Sequence, residues 1–296
     1  MLLLFIPFSM LDVMLPHSKL PLFYLLLCFC MGCSASSVHN DAIISLCPAI
    51  TETVFFLEAQ SQLCGRSDYC TMPPASLSLP SFGTSLTPNY EALALAQPKM
   101  VLVDASNGTP VQEIEKIVPV TQLPWLTIEE IESSIVELGK IFHKEEKAQS
   151  LAQSLHTSMQ STVTENSPSV LVLMADSDID AGQIWFIRHD SVHGTAIEAA
   201  GFRNGAPAHF QGSPNMSVET LLEQNPEIIL FLTSRKIDSA EEQTLLQSLE
   251  KFPSLHAVQS KHIGVLNGEN LMGIGPNMIH LSKQIQDTVQ TILEAN

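Results

Sequence analysis

The chain has 296 residues, 45% of them hydrophobic, which is enough apolar material for two domains. Its 14 Lys and Arg face 31 Asp and Glu, a formal charge of −17. A chain this acidic repels phosphates, which excludes nucleic-acid binding, and it suits a soluble protein that docks on a basic surface.

The N-terminus reads as an export signal. Lys19 precedes the apolar run Leu20–Met31, which is too short to span a bilayer. Met14 opens a cleaner signal than Met1, so residues 1–13 read as lying before the true start. Gly32-Cys33 follows the run, ahead of Ser34-Ala35-Ser36-Ser37. A small residue before a cysteine at this place resembles the bacterial lipobox, whose cysteine is acylated and becomes the new N-terminus. Residues 1–33 are therefore set apart as signal and lipidation site, and residues 34–40 as a polar tether.

An N-terminal lobe is expected over residues 41–126. Ala42–Leu46 reads as a buried strand closed by Cys47-Pro48, and Thr51-Glu52 as cap and early carboxylate of the helix carrying Val54, Phe55, Phe56 and Leu57. Gln62–Gly65 reads as the next strand, followed by a Pro- and Ser-rich loop from Met72 to Pro88. Beyond the signal and Cys33, the cysteines are Cys47, Cys64 and Cys70. This odd number allows one disulfide and a free thiol without choosing the pair. Cys47 and Cys64 read as small apolar residues buried with strands.

An internal repeat is the strongest pattern. Tyr90 to Val103 and Val218 to Phe231 each read as a short helix ended by proline, then a continuous apolar strand suited to a parallel sheet. Glu, Leu and Pro recur at the same places, so two lobes of similar α/β build are expected. Between the copies, residues 127–166 are expected to be connecting helices. Thr127 and Glu130 have capping-box spacing. Ala148, Leu151, Ala152, Leu155, Met159 and Val163 give a helical period from near Lys144, over about six turns or roughly 30 Å. The expected fold is thus α/β, with two similar lobes joined by one long helix.

The C-terminal lobe, residues 167–296, opens with the buried strand Ser169–Met174. A helix follows over Val192 to Gly201, then a strand over Lys261 to Leu266. An amphipathic helix from Asn277 to Leu293 ends the chain.

In this order and spacing the chain resembles the periplasmic binding proteins with a helical backbone, whose members include receptors for vitamin B12, ferric siderophores and haem. The resemblance rests on Ile43 through Glu52, on Gly65-Arg66-Ser67-Asp68-Tyr69-Cys70 ahead of Pro73-Pro74, on the repeat, and on Gly275-Pro276 before the last helix. It implies a substrate-binding lipoprotein of the cell envelope, a monomer that touches the membrane only through its lipid. Such a protein carries a metal chelate to the permease and ATPase subunits of an ABC importer. It needs no cofactor of its own; a cobalamin or other chelate would be its cargo. Glu91 and Glu219, one per lobe, match the carboxylates that meet permease arginines. As plain helix residues they would serve the dipole instead.

Within the family the chain resembles the vitamin B12 receptors, which implies a corrinoid between the lobes. The ligand-facing set so implied is Tyr69, Cys70, Thr84, Ser85, Trp185, His189, Asn270 and Met272. Those receptors carry tryptophans where Thr84-Ser85-Leu86 and Asn270 stand here. A ferric siderophore is the alternative, with Arg66, Arg188 and His189 as anion-binding groups. Haem fits less well, since Leu86 takes the place of a methionine ligand.

Other classes find less support. His189 and His193 have the i, i+4 spacing of metal ligands, but Asp190-Ser191 between them reads as a helix cap. Ser45 and Ser67 lack a nucleophile-elbow setting, and Cys70 lacks a partner and an oxyanion loop, so an extracytoplasmic hydrolase or redox enzyme is the rival reading. Gly273-Ile274-Gly275-Pro276 puts proline where a phosphate loop needs an amide.

Overall fold

The computed structural model describes residues 41–295 other than 209 and 211. The signal, Cys33 and the tether fall outside them. The N-terminal lobe runs through β1 (Ile43–Ser45), α1 (Pro48–Phe56), β2 (Leu63–Arg66), α2 (Tyr90–Ala96), β3 (Met100–Asp104), α3 (Val111–Glu115) and β4 (Val120–Leu123). Two helices follow, α4 (Ile128–Ile141) and α5 (Glu145–Ser158). The C-terminal lobe begins with β5 (Ser169–Met174), β6 (Ile184–Trp185), α6 (Val192–Ala199), β7 (Arg203–Asn204) and β8 (Asn215–Met216). It closes with α7 (Val218–Gln224), β9 (Ile228–Leu232), α8 (Ser239–Ser248), α9 (His256–Gln259), β10 (Ile263–Leu266) and α10 (Met278–Glu294).

Each lobe holds a four-stranded parallel sheet, ordered β2-β1-β3-β4 in one and β10-β9-β5-β7 in the other. In both, the first strand is central, the second lies to one side and the third and fourth to the other. The topology is therefore shared, with β6 and β8 added as a small antiparallel ribbon in the second lobe. Val101, Leu102 and Val103 of β3 and all of β9 are buried, as strands covered on both faces must be.

The repeat is realised down to its backbone. Asn89 caps α2 by accepting from the Ala92 amide at 3.0 Å, and Ser217 caps α7 by accepting from the Thr220 amide at 3.3 Å. Both helices end on a left-handed residue, Gln97 at φ 43° and Asn225 at φ 41°, immediately before Pro98 and Pro226. Proline cannot continue a helix, and it steers the residue before it away from helical backbone.

One apolar cluster underlies both lobes. It joins Ile43, Leu102 and Trp125 of the first to Val170, Leu230 and Leu266 of the second, through Ile135, Leu138, Leu155, Leu281 and Ile285. Sliding or twisting the lobes apart would expose this shared surface, so α4, α5 and α10 make a stiff joint.

Two local expectations are corrected. The connection is a hairpin of two 14-residue helices, each about 21 Å long, rather than one strut of six turns. The capping box of Thr127 and Glu130 does start α4, but α5 ends at Ser158, and Val163 lies beyond it. There the Thr162 amide donates to the Glu198 carbonyl at 3.2 Å, tying the chain to the end of α6 instead of to a further helical turn. Thr51 and Glu52 do not cap α1. Pro48, whose φ is already helical, starts it with Cys47 as N-cap, and both residues lie buried within the helix.

Candidate functional site

In an open parallel sheet the crevice lies beyond the carboxyl ends of the strands, where neighbouring connections leave in opposite directions. In the first lobe that place lies between β1 and β3. A cavity of about 320 Å³ opens there, lined by Cys47, Pro48 and Ala49 after β1 and by Asp104, Ser106 and Asn107 at the end of β3. Trp125 and Leu126 border it after β4, and the second lobe closes it with Asn270, Met272, Gly273 and Ile274. The Trp125 indole donates to the Ile274 carbonyl at 3.1 Å, so the wall contributed by the second lobe is pinned to the first.

Tyr69 lines this cavity and is 68% exposed. Its neighbour Cys70 is fully buried and points the other way. The Cys70 sulfur accepts from Thr51 Oγ1 at 3.1 Å and shares a hydrogen bond with Ser67 Oγ at 3.1 Å, while Thr51 Oγ1 also reaches Ser45 Oγ at 2.8 Å. Ser76 Oγ donates to the Cys70 carbonyl at 2.9 Å. Cys70 therefore leaves the ligand-facing set and serves as the buried anchor of the turn that presents Tyr69. Cys47, Cys64 and Cys70 are all free thiols, and Cys64 lies half-buried in β2. Burial pushes the Cys47 thiol up to about 12, so this cleft residue is a neutral, weakly polar surface at pH 7.

Asn270 and Met272 line the cavity as expected; Thr84, Ser85, Trp185 and His189 are not among its lining residues. Thr84 and Ser85 sit half-buried in a turn closed by Thr84 Oγ1 and Thr87 Oγ1 at 2.8 Å. Trp185 is half-buried on β6, its amide donating to Ser177 Oγ at 2.9 Å. His189 Nε2 lies 3.5 Å from Glu198, and Arg188 pairs with Asp190. Arg66 Nη1 donates to the Ser67 carbonyl at 2.8 Å. These three candidate anion-binding groups are thus engaged outside the cavity. His193 is buried on α6 with Nε2 3.2 Å from the Leu271 carbonyl, and burial lowers its pKa. The Ser191 cap separates it from His189. Among the described residues no group of three or more His, Cys, Asp or Glu is placed to hold a metal ion.

Sequence reading missed Glu52, Met72, Asp104, Ser106 and Asn107 as cleft residues. Glu52 is 7% exposed and accepts from Asn270 Nδ2 at 2.9 Å and from Asn277 Nδ2. Burial raises its pKa, and the two amides oppose that rise without cancelling it. The repeat could have located Asp104 and its neighbours, because it marks the ends of the third strands. Glu52 carried no such signal, since its partners lie more than two hundred residues away.

Glu91 and Glu219 are both exposed in the first turns of α2 and α7. The Ser217 hydroxyl holds the Glu219 carboxyl below the usual carboxylate range.

The periplasmic binding protein model matches residues 43–269. The chain belongs to the periplasmic binding protein family. Solved structures similar to this periplasmic binding protein include the heme-binding protein HutB of Vibrio cholerae, at 23% identity and a TM-score of 0.68, covering 84% of this chain and 98% of that one. The vitamin B12 binding protein BtuF of Vibrio cholerae is 18% identical with a TM-score of 0.66, covering 86% and 98%. The heme-binding protein RhuT from Roseiflexus sp. RS-1 is 21% identical with a TM-score of 0.64, covering 85% and 100%. At these identities the likeness establishes the two-lobed fold. No curated protein matches the sequence. Among the described residues no helix is long and apolar enough to cross a membrane.

Proposed function

We propose that this periplasmic binding protein carries a corrinoid in its interlobe cleft and delivers it to the permease and ATPase of an ABC importer. Neighbours of the same fold bind heme in some cases and vitamin B12 in others, so the choice rests on the cleft itself. The carrying observation is the charge of the lining. It contains Glu52 and Asp104 with Ser106, Asn107, Thr71 and Asn270, and no Lys, Arg or His. Such a surface accepts hydrogen bonds from neutral amide groups and repels ligand carboxylates. A corrin ring fringed with amides meets it well; the propionates of haem and the anionic groups of a catecholate siderophore do not. Tyr69 and Leu126, both exposed at the mouth, supply apolar faces for a flat ring.

Titration of cyanocobalamin, haemin and a ferric catecholate siderophore, followed by Trp125 fluorescence, tests the reading. Cyanocobalamin should bind tightest, and Tyr69→Ala should weaken it by about tenfold or more. Tightest binding of haemin, or a Tyr69→Ala variant that binds cyanocobalamin as well as wild type, would reject a corrinoid in this cleft.

A further inference from the structure

A second cavity, of about 650 Å³, adjoins the first along the flank of α1. Phe55, Phe56, Pro73 and Ala75 supply its apolar walls, with Glu269 and Asn277 from the second lobe. Three residues line both cavities: Glu52, Met72 and Asn270. They are the wall between them.

The polar part of that wall crosses the lobes. The Glu52 carboxylate belongs to α1, while Asn270 and Asn277, which both donate to its Oε1, belong to the loop before α10. Asn270 is held at φ 59°, a left-handed backbone that asparagine tolerates better than most residues. A Cβ on Gly273 would lie 2.8 Å from Asn270 Oδ1, so the glycine leaves room for the amide to turn toward Glu52. Glu52 stands in no ion pair of the described residues. A buried carboxylate without a cation, its pKa raised by burial, is a poor device for stability alone. Its geometry ties a loop in place while dividing a cleft.

We propose that the Glu52 carboxylate, gripping Asn270 and Asn277 across the lobes, is a partition that sets which ligands the cleft admits. Intact, it confines a ligand to the inner chamber. Broken, it joins the chambers into one. This rests on the cleft being the ligand site. The inner chamber is at the small end of the range for ligand pockets, and a macrocycle with a large substituent needs the outer one as well. Glu52 is then a positioning residue that determines specificity through the loop it holds.

Two corrinoid probes separate this role from a merely structural one: cyanocobalamin, and dicyanocobinamide, which lacks the nucleotide arm. Glu52→Gln keeps an acceptor oxygen but loses the charge that strengthens both hydrogen bonds, so it should bind cyanocobalamin about tenfold tighter than wild type and dicyanocobinamide within about twofold. Asn277→Ala, which removes one of the two amides that hold Glu52, should shift the ratio in the same direction. Equal changes for both probes, or none, would overturn the partition. Hydrogen exchange in the ligand-free protein gives an independent reading. Amides of residues 268–277 should exchange at least about tenfold faster in Glu52→Gln, with the sheets unchanged. Unchanged exchange in that loop overturns the partition too. If neither probe binds wild type or variant, the corrinoid reading fails, and the exchange result decides the partition by itself.

Discussion

Glu52 shows how burial and hydrogen bonding contend at a single residue. Desolvation raises its pKa above the ordinary 4.5, and the amides of Asn270 and Asn277 pull it back only in part. The folded protein therefore holds the Glu52 proton more tightly than the unfolded chain does. The stability from this group is fully present below about pH 4.5 and is lost as pH rises through the folded pKa. Glu52→Gln cannot ionise, so its stability relative to wild type should improve between pH 4 and pH 7. Thermal denaturation at the two pH values checks this, and a constant difference would mean that Glu52 has an ordinary pKa. Asp104, Glu269 and Tyr69 line the same cavities and are common to both proteins, so they drop out of the comparison to first order. Glu52 was legible in the sequence as a carboxylate early in a helix. Its burial was not, because that depends on a loop near the other end of the chain. Tyr69 and Cys70 teach the same point from adjacent positions: nothing local says which of the two faces the cleft, and the buried hydroxyls of Thr51 and Ser67 decide it.

At the level of elements, the hairpin of α4 and α5 turns on a close approach. A Cβ on Gly139 would stand 2.3 Å from the Ala148 Cβ, far inside contact distance, so the two helices meet there only because residue 139 is glycine. Gly139→Ala should destabilise the protein by about 1–3 kcal/mol through overpacking. Ala148→Gly removes the obstructing methyl, and the double variant should recover part of the loss, giving a favourable coupling in a double-mutant cycle. Additive effects in urea denaturation would show that the helices simply move apart. The apolar period announced α5 and α10, and the capping box announced α4 and where it begins. The period overshot at Val163, since helical spacing continues by coincidence past the point where Thr162 bonds to the end of α6. Pro48 was read as a stop after a strand, whereas its fixed φ makes it a start.

For the whole molecule, the repeat and the shared core together define how the protein would present itself to a partner. Two lobes of common topology, held by one apolar cluster, place Glu91 and Glu219 at equivalent exposed positions. A symmetric permease with two basic sites would meet one carboxylate from each lobe. Reversal of both to Lys should leave folding and ligand affinity nearly unchanged while abolishing stimulation of the ATPase in the reconstituted importer. Each single reversal should be intermediate and sensitive to salt. Normal stimulation by the double variant would mean that both carboxylates serve only their helices.

The sequence by itself determined the α/β class, the two-lobed plan, the strand Ser169–Met174 to the residue, and the pairing of Glu91 with Glu219. These rest on local information: runs of apolar residues, a helical period, and a Pro at the same place in two copies. Only the tertiary structure decided which side chains meet in the cleft. Asp104, Trp125 and Asn270 come together there from the end of a strand, a connection and a late loop. Trp185 and His189 lie outside its lining although the resemblance places them toward the ligand. Burial, and with it the pKa of Glu52 and the neutrality of Cys47, is a property of what packs around a residue, and that is contributed by segments no local pattern names.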